Sequence, residues 1–183
     1  MKVYLAGPDV FLPNAIAVGR RKAELCARYD LTGLYPLDNK IDLRATNASE
    51  QIFRGNEAMM NEADAIIANL TPFRGPGADA GTVYELGYMA GRGKLCLGYS
   101  NHAALYADRV REFTAVTSKD GRLTDADGLT VEDFGLADNL MMVELLASRG
   151  YPLVRPCQTP ADIWQDLIAF EDCVRLAAKR RSP

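Results

Sequence analysis

Ala65-Ile66-Ile67-Ala68-Asn69-Leu70 runs into Thr71-Pro72-Phe73-Arg74-Gly75-Pro76-Gly77-Ala78-Asp79-Ala80 and then into Gly81-Thr82-Val83-Tyr84-Glu85-Leu86-Gly87. A largely apolar run of strand length leaves through a loop rich in Gly and Pro and delivers the chain into a segment of helical period. That is the strand-loop-helix step from which parallel sheets are built. Outward from it the step repeats. Short runs of β-forming residues at 3–6, 31–35, 65–70, 95–99 and 152–154 alternate with helical patterns at 15–29, 50–62, 82–92, 136–148 and 161–179. The second helix follows an Asn47-x-x-Glu50 capping box and is expected to bury Ile52, Phe53, Met59 and Met60. The last is expected to bury Ile163, Trp164, Leu167, Ile168 and Phe170.

Residues 118–133 break the rhythm. Lys119-Asp120-Gly121-Arg122 and Asp125-Ala126-Asp127-Gly128 are turn chemistry and predict a small hairpin. Its acids do not spell a calcium loop, because Leu123 stands where the first ligand is required. The expected architecture is α/β, a doubly wound parallel sheet of about five strands with flanking helices, formed as one domain over residues 1–183.

Composition removes several classes of chemistry. The net charge of −3 offers no field for a phosphate backbone, so no nucleic-acid partner is expected. A single histidine, His102, excludes a multi-histidine metal centre and forces any Ser-His-Asp or Cys-His mechanism through one position. The four cysteines lie far apart with no C-x-x-C, which spells neither a zinc site nor a redox pair and reads as buried thiols. Met1 leads straight into a strand and no run approaches 18 apolar residues, so a cytoplasmic protein with no membrane partner is expected. Chemistry falls to the carboxylates.

In an open α/β sheet, ligands sit beyond the carboxyl ends of the strands. The segments that qualify are residues 7–13, 36–42, 71–82 and 100–105. Asp64 lies at the opposite end and reads as a structural acid. His102 lies at the right end, but Ser100-Asn101-His102 also reads as an ordinary helix start. Asp79 and Glu85 flank the loop-to-helix junction, where two carboxylates can divide the work of breaking a glycosidic bond. The same spacing is a capping box, Thr82-x-x-Glu85, with Asp79 at the positive end of the helix dipole, and spacing alone leaves both readings open. After the first strand come Gly7, which lets a ligand approach the backbone, and Phe11, which can cover an apolar ring face. The Tyr4 phenol can hydrogen-bond a nucleophilic carboxylate or simply fill the strand.

Four segments together resemble the nucleoside 2-deoxyribosyltransferase family. They are Tyr4-Leu5-Ala6-Gly7 with Phe11, Tyr35-Pro36-Leu37-Asp38-Asn39, Asp64 through Asp79 to Glu85-Leu86-Gly87, and Gly135-Leu136-Ala137-Asp138-Asn139. The resemblance implies a flavodoxin-like sheet and transfer of a 2-deoxyribosyl group between nucleobases through a covalent intermediate with retention at C1′, without metal or cofactor. It implies Glu85 as the nucleophile, Asp79 as the acid and base toward the nucleobase, and Tyr4 as the phenol that orients the nucleophile. Asn139 is implied to reach the sugar 5′-hydroxyl from a neighbouring subunit, which makes a homo-oligomer part of the site.

One departure bears on the base. Where some members carry an acid eight residues before the Asp of the third strand, this sequence has Asn56, with Glu57 beside it. An amide donates and accepts, whereas an ionised carboxylate only accepts. Hydrolases of nucleoside 5′-monophosphates resemble the same fold with a Ser/Arg/Gly-rich loop after the first strand. Here that loop carries Asp9, expected to repel a phosphate, which favours a substrate with a free 5′-hydroxyl. Gly81-Thr82-x-x-Glu85 half-matches the phosphoribohydrolases that release cytokinin bases, and a non-catalytic nucleoside-binding domain is the remaining alternative.

Overall fold

The computed structural model describes residues 1–39 and 41–181, with Arg181 described by its backbone alone; Lys40, within the expected 36–42 ligand segment, and residues 182–183 lie outside the described residues. The chain runs β1 (Lys2–Ala6), α1 (Ala15–Arg28), β2 (Thr32–Leu34), α2 (Ala48–Glu62), β3 (Ala65–Asn69), α3 (Ala80–Gly91) and β4 (Leu95–Tyr99). Then come α4 (Tyr106–Phe113), β5 (Val116–Lys119), β6 (Arg122–Asp125), β7 (Thr130–Val131), α5 (Leu140–Ser148) and α6 (Ile168–Arg181). Short 3-10 turns at Pro8–Phe11 and Pro36–Asp38 follow β1 and β2.

The main sheet has the order β2-β1-β3-β4, all parallel, as the alternating pattern requires. The fifth expected strand shrinks to one parallel bridge, Tyr99 with Val154. Pro152 and Pro156 flank it, and proline cannot donate to a ladder. Alternation along β1 divides the core. Val3 and Leu5 pack with Phe170, Cys173 and Val174 of α6, whereas Tyr4 and Ala6 face Met60 of α2 and Leu86 and Met89 of α3. Tyr4 is therefore aimed at α3 by strand parity.

Several boundaries differ from the sequence expectation for local reasons. The α6 helix starts at Ile168 and not at 161. Asp162 Oδ1 accepts from the Trp164 and Gln165 amides and Asp166 Oδ1 from the Ile168 amide, and these turns compete with helix. Ile163 and Trp164 are consequently half-buried, and Ile168 is exposed. The Asn47 capping box does not form: its side chain takes Gln51 Nε2 at 2.7 Å, and Glu50 pairs with Arg54. On α2 only Met60 is buried, and Ile52 and Phe53 are exposed. Ser100-Asn101-His102 starts no helix, since α4 begins at Tyr106; the His102 Nδ1 accepts the Ala104 amide instead. Of the four cysteines, Cys157 is exposed and the others are buried.

The expected hairpin is a three-stranded antiparallel sheet, β5-β6-β7. Asp120 and Gly121 both take positive φ, 52° and 76°, in the two-residue turn between Lys119 and Arg122. Asp-Gly is suited to that turn because both central residues must be left-handed. The Asp125 carboxylate accepts the Asp127 and Leu129 amides and so serves the next turn. Among the described residues, no helix is long and apolar enough to cross a membrane.

Candidate functional site

A cleft of about 660 Å³ opens beyond the carboxyl ends of β1 and β2, beside the start of α3. Gly7, Phe11, Asn56, Asp79 and Glu85 all line it. Ile16, Leu37, Ile41, Leu43 and Ile52 supply an aliphatic wall that the sequence reading did not assign to the site. Leu37 and Ile41 fall in the 36–42 segment expected at the ligand end, whereas Ile52, expected in the core, is exposed at the cleft, as is Ile16.

Glu85 lies one turn into α3, beside Leu86, which enters the core. The Tyr4 phenol donates to Glu85 Oε1 at 2.6 Å. Burial pushes the Glu85 carboxyl up to about 7, the Tyr4 hydrogen bond opposes that rise, and the nearby Asp79 charge adds to it. Burial, together with the Glu85 charge, pushes the Tyr4 phenol well above its ordinary range, so it stays a donor. Glu85 is thus held ready to ionise near neutrality against one strong donor. It does not cap its helix.

The cap is Asp79. Its Oδ2 accepts from the Thr82 amide at 2.9 Å and from Thr82 Oγ1 at 3.0 Å. Thr82 is the partner of the cap and not the cap itself. Because Oδ2 takes both bonds, Oδ1 has no protein partner among the described residues and is available to a ligand in the cleft. One carboxylate therefore carries the structural role and is also free for chemistry.

Gly7 has extended backbone, φ 162° and ψ 162°, so its need for glycine is steric. A Cβ there would meet the Asp9 carboxylate and lie 2.7 Å from Asn69 Cβ. Phe11 is 57% exposed and stacks on Phe73, with ring centroids 5.3 Å apart and planes within 13°; the Arg74 guanidinium lies over both rings. Asn56 Oδ1 accepts from Asn39 Nδ2 at 3.4 Å, and both amides line the cleft. Asp64 is structural: it accepts the Lys2 amide at 2.8 Å.

Two arrangements depart from expectation. Asp9 does not face the cleft. It is 2% exposed and paired at 2.6 Å with the buried ammonium of Lys22, and Asn69 Nδ2 adds two further contacts. Its charge is already neutralised, so it gives no ground for disfavouring a substrate phosphate. Lys22 was detectable as the one cation inside the Val18-Lys22-Leu25-Cys26 stripe of α1. Asn139 is not in the cleft either: its Oδ1 caps α5 through the Met141 amide and its Nδ2 donates to Glu132 Oε1 at 2.9 Å.

Comparison with known proteins bears on the family and the fold. The family model of nucleoside 2-deoxyribosyltransferases matches residues 3–141. An uncharacterized protein of Schizosaccharomyces pombe is 35% identical over 155 residues, 76% of this chain and 74% of the relative. A solved 2-desoxiribosyltransferase from Leishmania mexicana superposes with a TM-score of 0.68 at 31% identity, covering 99% of each chain. A conserved protein from Enterococcus faecalis, 20% identical with a TM-score of 0.58 over 97% of this chain and 98% of its own, shares the fold. The chain belongs to the nucleoside 2-deoxyribosyltransferase family.

Proposed function

We propose that this protein transfers the 2-deoxyribosyl group of a 2′-deoxynucleoside to a different purine or pyrimidine base by double displacement. The observation that carries the reading is the Tyr4-to-Glu85 bond at the cleft, with Asp79 lining the same cavity. The Glu85 carboxylate attacks C1′ as the bond from C1′ to the base nitrogen breaks. Asp79 gives the departing base its proton. The sugar is then held as an ester on Glu85. An incoming base attacks C1′ from the vacated side, Asp79 takes its proton and the ester bond breaks. Two inversions restore the original configuration. The two carboxylates complete the chemistry in this reading, with no metal or cofactor in it, and the reaction belongs to deoxyribonucleoside salvage in the cytoplasm.

The deciding experiment incubates a 2′-deoxynucleoside with a different free base and separates the products by chromatography. A new deoxynucleoside is the expected result; release of deoxyribose and base alone would make the protein a hydrolase, and no reaction would make it a binding domain. Because Asp9 is neutralised by Lys22, the same assay is run with a 2′-deoxynucleoside 5′-monophosphate as donor.

The nucleophile must be ionised, so the acid limb of the rate profile is expected near pH 7. Tyr4→Phe removes the bond that favours the ionised form. It should move that acid limb up by roughly one pH unit, the equivalent of about 1.4 kcal/mol, while exchange itself persists. A limb that stays in place would remove Tyr4 from this role.

Asn139, outside its own cleft, is assigned to the sugar 5′-hydroxyl of a neighbouring subunit's site. An apolar groove of about 570 Å³ between α3 and α5 supports a homo-oligomer, with Val83, Gly91 and Leu145 lining it beside the 71% exposed Met141. A Cβ on Gly91 would meet nothing within 4 Å inside the subunit. Gly91→Arg should therefore leave the subunit folded, separate the oligomer by light scattering and lower activity by about tenfold or more. Asn139→Ala should raise KM for the nucleoside about tenfold, through one lost hydrogen bond to a buried hydroxyl. Unchanged size and kinetics would take groove and Asn139 out of the site.

A further inference from the structure

Arg109, on α4, is buried; its hydrogen bonds run to backbone or to one acid, and its guanidinium lies 5.9 Å from the Tyr106 ring centroid. Its Nε donates to the Pro76 carbonyl at 2.8 Å, and its Nη1 donates to the Ala104 and Ala137 carbonyls at 2.8 and 2.7 Å. Its Nη2 pairs with Asp138 Oδ2 at 3.0 Å, and Asp138 is 2% exposed. Asp138 Oδ1 in turn accepts the Asn139 amide at 2.8 Å, and the Ala78 amide favours the charged form of its carboxyl. The pair therefore grips the loop between β3 and α3 at Pro76 and Ala78, the residues just before Asp79. From the other side it grips the turn that presents Asn139.

Neither residue lines the cleft. A buried ion pair is a poor way to gain stability alone, since an apolar pair of similar volume is often as stable. What an apolar pair cannot do is hold two loops by directional bonds. The guanidinium fork satisfies three carbonyls and a carboxylate at fixed angles, which a lysine cannot reproduce.

We propose that Arg109 and Asp138 are positioning residues. The pair holds the Asp79 carboxyl where it meets the leaving base, and it sets the Asn139 turn in the same register. This rests on the reading of Asp79 as the acid. A positioning role separates from a structural one through the leaving group. A base already cationic, as in N7-methylated 2′-deoxyguanosine, departs without being protonated, so its release does not need a well-placed Asp79.

The test measures single-turnover base release from 2′-deoxyinosine and from N7-methylated 2′-deoxyguanosine for the wild type, Asp79→Asn, Arg109→Lys and Asp138→Asn. Folding is checked by near-ultraviolet circular dichroism. Arg109→Lys keeps the charge and loses the fork; Asp138→Asn keeps an acceptor oxygen and loses the ion pair. Each is expected to slow 2′-deoxyinosine by about tenfold or more and the methylated substrate by less than about threefold, with the same split in Asp79→Asn. Equal losses on both substrates, or none, in the Arg109 and Asp138 variants overturn the proposal when Asp79→Asn shows the split. If Asp79→Asn shows no split, the assignment of Asp79 fails first. If a single variant does not fold, the double variant Arg109→Met with Asp138→Asn, which leaves no unpaired buried charge, takes its place; should none fold, the pair is structural and the proposal falls.

Discussion

Glu85→Gln is expected to lower base exchange by on the order of 10^4-fold, because an amide cannot form the glycosyl ester through which both half-reactions pass. The amide oxygen can still accept the Tyr4 hydroxyl, so the loss is chemical and not a collapse of the site. Stability should move the other way, and the sign follows from the folded-state acidity. Glu85 titrates near 7 in the fold against an ordinary 4.5. The folded protein thus holds this proton more tightly than the unfolded chain, and the contribution is fully present below pH 4.5. It is lost as pH rises through about 7, where a half-buried carboxylate must ionise. Glutamine has no such loss. At pH 8 the variant should be more stable than wild type by on the order of 2 kcal/mol, and at pH 4 the two should nearly coincide. Denaturant titrations at the two pH values check this. Exchange at near wild-type rate would dismiss Glu85 as the nucleophile.

Asp79→Asn carries the second large effect. Asparagine caps a helix about as well as aspartate, so the bonds to Thr82 survive and the thermal midpoint should hardly move. It cannot supply or remove a proton at the base. Loss of general acid catalysis costs typically about 10^2 to 10^4-fold, and kcat should fall by that factor for bases that leave as anions unless protonated. Asp79→Ala should add a stability loss of about 1 kcal/mol from the missing cap. The difference between the two variants isolates the capping role from the chemical one. An Asp79→Asn enzyme with unchanged kcat would leave Asp79 as a cap alone.

The doubly wound order was legible because its signals are local: parallel strands read as short apolar runs and their helices as a change of period. The Asp120-Gly121 turn was equally plain. Boundaries were lost where side chains bind their own backbone, as at Asp162 and Asp166, since such turns compete with helix at positions no periodicity marks. The cleft residues Gly7, Phe11, Asn56, Asp79 and Glu85 were all named from the sequence and all line one cavity. Lys22 and Arg109 escaped, because a charge reads as surface until its partner is known, and Asp9 and Asp138 lie 13 and 29 residues away.

The alternation of strand and helix, the loop that carries Asp79 into α3 and the scarcity of histidine are all local properties of the sequence. Which acid caps the helix and which meets the Tyr4 hydroxyl followed from the tertiary fold alone. Tyr4 and Glu85 are 81 residues apart and meet because β1 pairs with β3, Tyr4 opposite Ile66, so that α3 crosses over the face to which strand parity turns the phenol. Spacing along a chain fixes which groups a helix can present. Whether a carboxylate meets a backbone amide or a tyrosine hydroxyl depends on what the sheet places beneath it.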